Sequence, residues 1–138
     1  MVDGTGVDGP VARAVIVDHV SLRVRDLEAS RRFYEAALAP LGFGVVNAPE
    51  GGAAFGVEGA DDFWILAGDT PSTNVHVAFA ARDQAAVDAF YHAALETGGR
   101  DNGAPGLRPE YHAGYYGAFV FDPDGNNIEA VYHDRSAG

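Results

Sequence analysis

The sequence predicts an α+β fold in which two tandem βαβββ units form a cupped mixed sheet with the helices on its outer face. Three observations carry this expectation. Residues 19 to 38 read HVSLRVRDLEASRRFYEAAL and residues 76 to 95 read HVAFAARDQAAVDAFYHAAL, identical without a gap at ten of twenty positions, where chance gives about two. Within each copy the apolar residues first alternate and then recur at helical spacing, which is a strand followed by a helix. Three short strand candidates with turn residues between them follow each copy: GFGVVNAPE, GGAAFGVEGA and DDFWILAGD in the first half, and GGRDNGAPGLR, GYYGAFVF and NNIEAVYH in the second.

The elements follow in order. Residues 1–14 are rich in Gly and Asp; with neither a basic start nor an apolar run they read as a mobile tail rather than a signal peptide. One domain is expected over 15–133, with the first repeat over about 15–69 and the second over about 72–133, and 134–138 form a second short tail. In the first strand Val20, Leu22 and Val24 share one face, and His19, Ser21 and Arg23 the other. Val75, Val77 and Phe79 alternate in the same way around His76. Asp26 and Asp83 stand where a carboxylate accepts the free N–H groups of a helix start. Ser30, Phe33, Tyr34, Ala37 and Leu38 form a core-facing stripe, repeated by Val87, Phe90, Tyr91, Ala94 and Leu95. Pro40 and the Gly98-Gly99 pair are expected to end the two helices.

Aligning AAFGVEGADDFWIL with GAFVFDPDGNNIEA sets Phe55 on Phe119 and Ile65 on Glu129, an offset of 64 against 57 for the first strands. The second repeat is thus expected to hold seven extra residues (64 − 57), in a Gly- and Pro-bearing loop over Arg100 to His112 of the kind that carries function. The DPDG at 122–125 reads as a tight turn, since it lacks the further acids of a calcium loop.

Composition narrows the function. A chain of 138 residues is long enough for one domain with a real core. It has no cysteine, which excludes disulfides, thiolate nucleophiles, zinc–thiolate sites and iron–sulfur clusters. Nine Lys and Arg against twenty Asp and Glu give a net charge of −11, which repels nucleic acid and anionic lipid. No apolar run approaches the roughly 18 to 20 residues of a membrane span, so a soluble protein is expected, and the absence of cysteine is compatible with a cytoplasmic location.

The chemistry concentrates on three residues. His19 and His76 occupy the same place in the two repeats, each opposite the apolar face, and repeat-related positions face one another about a pseudo-twofold axis. Glu129 sits inside an apolar strand, where a carboxylate must be held by something or take up a proton. Two imidazoles and a carboxylate suit one first-row divalent ion, with Fe, Mn, Zn and Ni not distinguished, and leave positions open for water or substrate. The competing reading pairs Glu129 with Arg23 or Arg108. Tyr111, His112, Tyr115 and Tyr116 cluster before the last hairpin, either as proton donors and acceptors beside a substrate or as an aromatic patch. Trp64 reads as a core residue, with a place in the cavity wall as the alternative. His133 shares the parity of Glu129, but its place at the strand end keeps it out of the metal set.

The paired HV strands, the helix start DLEASRRFY and the closing DPDGNNIE resemble the vicinal oxygen chelate superfamily, which includes glyoxalase I, fosfomycin-resistance transferases, extradiol dioxygenases and the bleomycin-resistance proteins. The likeness spans about residues 15 to 133. It implies metal ligands on the first strand of each unit and on the last strand, which here are His19, His76 and Glu129. It further implies a homodimeric, metal-dependent enzyme that binds two vicinal oxygens of a small substrate. Isomerase, lyase, transferase and extradiol dioxygenase chemistry all remain open. A non-catalytic drug-binding protein of the bleomycin-resistance type is the alternative. Glyoxalase I takes a fourth ligand from the last strand of the first unit, where the alignment offers Ile65. The inserted loop is expected to fold over the metal, with Arg108, Tyr111 and Tyr115 binding substrate and His112 and Tyr116 moving the proton.

Overall fold

The chain runs, in a computed structural model that describes residues 15–137, through β1 (Val20–Val24), α1 (Leu27–Leu38), a 3-10 turn (Ala39–Leu41), β2 (Gly44–Asn47), β3 (Gly52–Val57) and β4 (Ala60–Ala67). The second repeat follows as β5 (His76–Ala80), α2 (Gln84–Glu96), β6 (Arg100–Leu107), β7 (Tyr115–Phe121) and β8 (Asn127–His133). These are the two βαβββ units that the repeat predicts. The tail expected over residues 1–14 lies outside the described residues. At the other end Asp134 donates its N–H to the Gly114 carbonyl at 2.8 Å. No helix among the described residues is long and apolar enough to cross a membrane.

Each unit makes a four-stranded mixed sheet, in the order β1-β4-β3-β2 and β5-β8-β7-β6. The first strand runs parallel to the last, and the remaining pairs are antiparallel. The Asp26 and Asp83 carboxylates accept the N–H groups of Ala29 and Ala86 at 3.1 and 2.8 Å, capping the helices as their positions suggest. The stripe from Ser30 to Leu38 is buried throughout, and α1 packs against α2. The α-helix ends at Leu38, just before Pro40 as expected, and Pro40 sits within the 3-10 turn, which ends where Gly42 takes a φ of +92°. Across the seam between units the Phe63 and Phe79 rings meet edge to face at 5.1 Å.

The DPDGN segment is a turn, with the Gly125 N–H donating to the Asp122 carbonyl at 2.9 Å, and also a polar bolt between the units. Buried Asp122 accepts the Tyr34 hydroxyl of α1 at 2.5 Å and the N–H groups of Asp124 and Asn126 at 3.0 and 2.8 Å. Asn126 in turn donates to the Ser72 carbonyl at 2.9 Å and accepts the Val75 N–H at 3.0 Å, which fixes the entry into β5.

Two expectations about the hairpins need correction. In the ladders Ser21 faces Trp64 and its repeat equivalent Ala78 faces Glu129. The counterpart of Glu129 is therefore Trp64, at an offset of 65 (129 − 64), not Ile65. The gapless alignment slipped by one residue, and a slip of one turns every side chain to the other face of a sheet. Ile65 accordingly lies fully buried under the helices, whereas Trp64 is only half-buried on the other face and is not a core residue. The second correction concerns Arg100 to His112. Its first eight residues form strand β6, as the strand candidate GGRDNGAPGLR predicts, so the loop expected over the same residues does not begin until after Leu107. An edge strand tolerates Gly and Pro, and β6 is such an edge, with its register shifted between Asp101 and Gly103 and again between Gly103 and Gly106.

Candidate metal centre

Strand alternation gives the second sheet one face packed on α2 and one free of helices. His76, Glu129, Tyr115 and Phe119 share the free face, because His76 and Asn127, Ala78 and Glu129, and Phe119 and Glu129 are register partners. Glu129 is nevertheless 1% exposed. Its Oε1 accepts from His76 Nε2 at 2.7 Å, and its Oε2 accepts the Tyr115 hydroxyl in a short hydrogen bond. An imidazole and a phenol hold the carboxylate; neither Arg23 nor Arg108 is paired with it.

Gly117 makes room for this arrangement. A Cβ there would stand 3.2 Å from Glu129 Oε2 and 3.2 Å from the Tyr115 ring. Sequence reasoning missed this residue, although a glycine inside a strand signals a close approach. Gly117→Ala is expected to displace the Glu129 carboxylate and weaken divalent-metal binding at least tenfold. The melting temperature should change less than for a core truncation, and calorimetric metal titration beside a thermal melt measures both.

Burial, with the bond to Glu129 second, raises the Tyr115 phenol well above its ordinary value of 10, and the bond to Asp88 pushes Tyr116 up to about 12. Tyr34 is also raised, first by burial and then by Asp122. A phenol raised in the folded state contributes stability that is fully present below its unfolded pKa of about 10 and is lost as pH rises through the folded value. With Tyr91, raised first by its bond to Asp101, four of the six tyrosines should therefore ionise late, and stability should fall above about pH 10. Absorbance at 295 nm followed against pH, beside melts over the same range, checks this. All six titrating together near 10 before unfolding would contradict it.

The other expected site residues fall into three places. Arg108, Tyr111, His112 and Tyr115 gather at the rim beside Glu129. The Arg108 guanidinium lies 5.5 Å over the Phe119 ring. Tyr111, 61% exposed, packs edge to face on Tyr115 at 4.8 Å. His112 Nδ1 accepts the Gly114 N–H at 3.2 Å, so its Nε2 carries the proton and donates to His133 Nδ1 at 2.9 Å. Tyr116 is turned away: consecutive strand residues alternate, and its hydroxyl donates to Asp88 on α2 at 2.6 Å, on the opposite face from Glu129. The role given to it as a proton carrier beside the metal does not fit that position.

His19 stands apart, just before β1 on the first sheet, with its side chain 57% exposed. Its Nδ1 donates to Asp18 Oδ1 at 2.8 Å, which leaves Nε2 as the nitrogen turned away from that carboxylate. Among the described residues of one chain no three His, Asp or Glu side chains converge on a common point. The fold thus brings together His76 and Glu129 but not His19. The pair fits a divalent ion by its chemistry: a buried carboxylate whose partners in the chain are a phenol and a half-exposed imidazole has one oxygen and one nitrogen turned to the same spot.

Residues 16–130 match the family model described as Glyoxalase/Bleomycin resistance protein/Dioxygenase superfamily. A glyoxalase/bleomycin resistance protein from Albidiferax ferrireducens is 33% identical, with a TM-score of 0.78 over 86% of this chain and 100% of that one. A glyoxalase I mutant from Zea mays is 27% identical, with a TM-score of 0.61 over 83% of this chain and 44% of that one. A glyoxalase/bleomycin resistance protein/dioxygenase family enzyme from Burkholderia phytofirmans shares the fold at 18% identity, with a TM-score of 0.65 over 84% of this chain and 97% of that one. No curated protein matches the chain.

Proposed function

Because this chain belongs to the glyoxalase/bleomycin resistance protein/dioxygenase superfamily, we propose that it is a metal-dependent enzyme in which His76 and Glu129 of one copy and His19 of a second copy hold a single divalent ion. The observation that supports this most is the buried carboxylate of Glu129, aligned by Tyr115 and facing His76 on a helix-free surface. A packed core has no use for that trio. Held by these residues, such an ion would supply a Lewis acid to two vicinal oxygens of a small substrate.

The chain's own groups do the rest. His76 would hold the ion through Nε2 as the tautomer that carries its proton on Nδ1, and Glu129 would hold it through Oε1. Tyr115 keeps its phenol proton at neutral pH and so holds Glu129 in place as a donor. His112 stands beside Tyr115 with their ring centroids 5.5 Å apart, and the His112–His133 hydrogen bond provides the path on which a substrate proton is held and released. Tyr111 covers the rim.

The shared site has a direct test. His19→Ala and His76→Ala proteins should each lose metal alone. Unfolding and refolding an equal mixture should restore about a quarter of the sites, since half the symmetric dimers are mixed and each mixed dimer has one intact set. No recovery, together with sedimentation as a monomer at micromolar concentration, would place all the ligands within one chain or dismiss His19.

A further inference from the structure

Beta strand β6 is shaped to seat a guanidinium, and its partner strand supplies the rings beneath. Arg108 Cζ lies 5.5 Å over the Phe119 ring, and Arg100 Cζ lies 4.9 Å over the Phe121 ring. Phe119 and Phe121 are two residues apart on the face that carries Glu129, about 7 Å along the strand. Room for Arg108 comes from missing side chains. Gly103, at φ +148°, would with a Cβ come within 3.0 Å of Phe119 and 3.4 Å of the guanidinium, and a Cβ on Gly106 would lie 3.1 Å from it. The Arg108 Nη2 donates to the Ala104 carbonyl at 2.8 Å, which fixes the plane of the fork and, among the described residues, leaves its remaining donors unspent.

The charge setting is informative. All nine cationic side chains of this chain are arginines, set against twenty acids. Yet neither Arg100 nor Arg108 has a carboxylate at ion-pair distance among the described residues. A guanidinium stacked on an aromatic ring keeps its edge donors free for an oxyanion. Phe119 also links this rim to the candidate metal ligands: its ring is 6.2 Å from that of His76, so Arg108 Cζ is no farther from the His76 ring than 6.2 and 5.5 Å laid end to end. The positive charge of Arg108 is felt at Tyr115, where it offsets part of the upward shift of that phenol.

We propose that Arg108 and Arg100, seated on Phe119 and Phe121, form an oxyanion subsite, and that the substrate is a small organic acid whose carboxylate or phosphonate end docks there while its other oxygens reach the metal. The statement about the metal end rests on the function proposed above; the subsite does not. It explains why β6 is glycine-rich and bulged where a regular edge strand would serve the sheet as well.

Calorimetric titration in the presence of EDTA, with phenylphosphonate and with benzoate as probes, tests the subsite without metal. The parent should bind at least one probe, and the tighter of the two names the oxyanion. Arg108→Ala should weaken that binding at least tenfold and Arg100→Ala severalfold, while Arg108→Lys recovers only part. Arg31→Ala, whose partner is Glu35 on α1, should change nothing, and Glu129→Gln should bind the probe at least as well as the parent although it loses metal. If the parent binds neither probe, or if parent, Arg108→Ala and Arg100→Ala bind equally, the subsite is refuted. If Arg108-dependent binding persists while the parent holds no metal, the metal reading fails and the subsite stands.

Discussion

Glu129→Gln is expected to abolish divalent-metal binding and yet leave the metal-free protein no less stable than the parent. The two halves of this result have one cause. In the absence of an ion the parent buries a carboxylate whose partners are an imidazole and a phenol, and a buried charge recovers its desolvation cost only with strong pairing. Glutamine has the same shape, accepts from Tyr115 and removes the charge. With metal the order reverses. An ion at a hundred times its dissociation constant stabilises the parent by about 2.7 kcal/mol, which for a domain of this size raises the melting temperature by about 10 °C. The variant should show no such rise. Scanning calorimetry of both proteins with EDTA and with excess Zn²⁺, Mn²⁺ or Ni²⁺ reads the four states. A non-catalytic drug binder makes a different forecast, with metal leaving both proteins where they were.

Asp122→Ala should have the largest effect on stability, about 3–5 kcal/mol, a large share of the 5–15 kcal/mol typical of a domain. Asp122 is 2% exposed and accepts from the Tyr34 hydroxyl, two backbone N–H groups and the Asn126 amide. Alanine leaves those donors buried without acceptors and also releases the bond that ties α1 to the β7–β8 turn. Tyr34→Phe removes one donor and should cost about 1–2 kcal/mol. Urea unfolding measures both, and metal binding below the transition should survive in both, because neither residue touches Glu129 or His76. Equal stability of Asp122→Ala and the parent would mean that the bolt between the units carries no strain of its own.

Much of the fold was legible because the chain states it twice. A ten-in-twenty match placed both first strands, both helices and both Asp caps, and the stripe from Ser30 to Leu38 predicted burial residue by residue. Legibility failed where the two copies diverge. With no identity to anchor the hairpins, the alignment slipped by one, exchanging the roles of Trp64 and Ile65. The segment of β6 supported both a strand and a loop reading, because the Gly and Pro in its composition do not distinguish a loop from a bulged edge strand. The same parity problem hid which adjacent tyrosine faces the site: Tyr115 reaches Glu129 and Tyr116 reaches Asp88. The repeat also identified His19 and His76 as equivalent positions, but equivalence does not say whether two such positions meet within a chain. In one chain they do not join a common cluster, since the contacts that unite the units run through α1, α2 and the Asp122 turn.

The central claim is that His76 and Glu129 are ligands of one divalent ion, and elemental analysis of protein purified without chelator tests it most directly. The parent should carry about one first-row divalent ion per chain, which EDTA removes and added metal restores, while His76→Ala and Glu129→Gln purified alongside should carry less than about a tenth as much. His76→Ala and Glu129→Gln proteins that retain metal in the same amount and with the same affinity as the parent would contradict it.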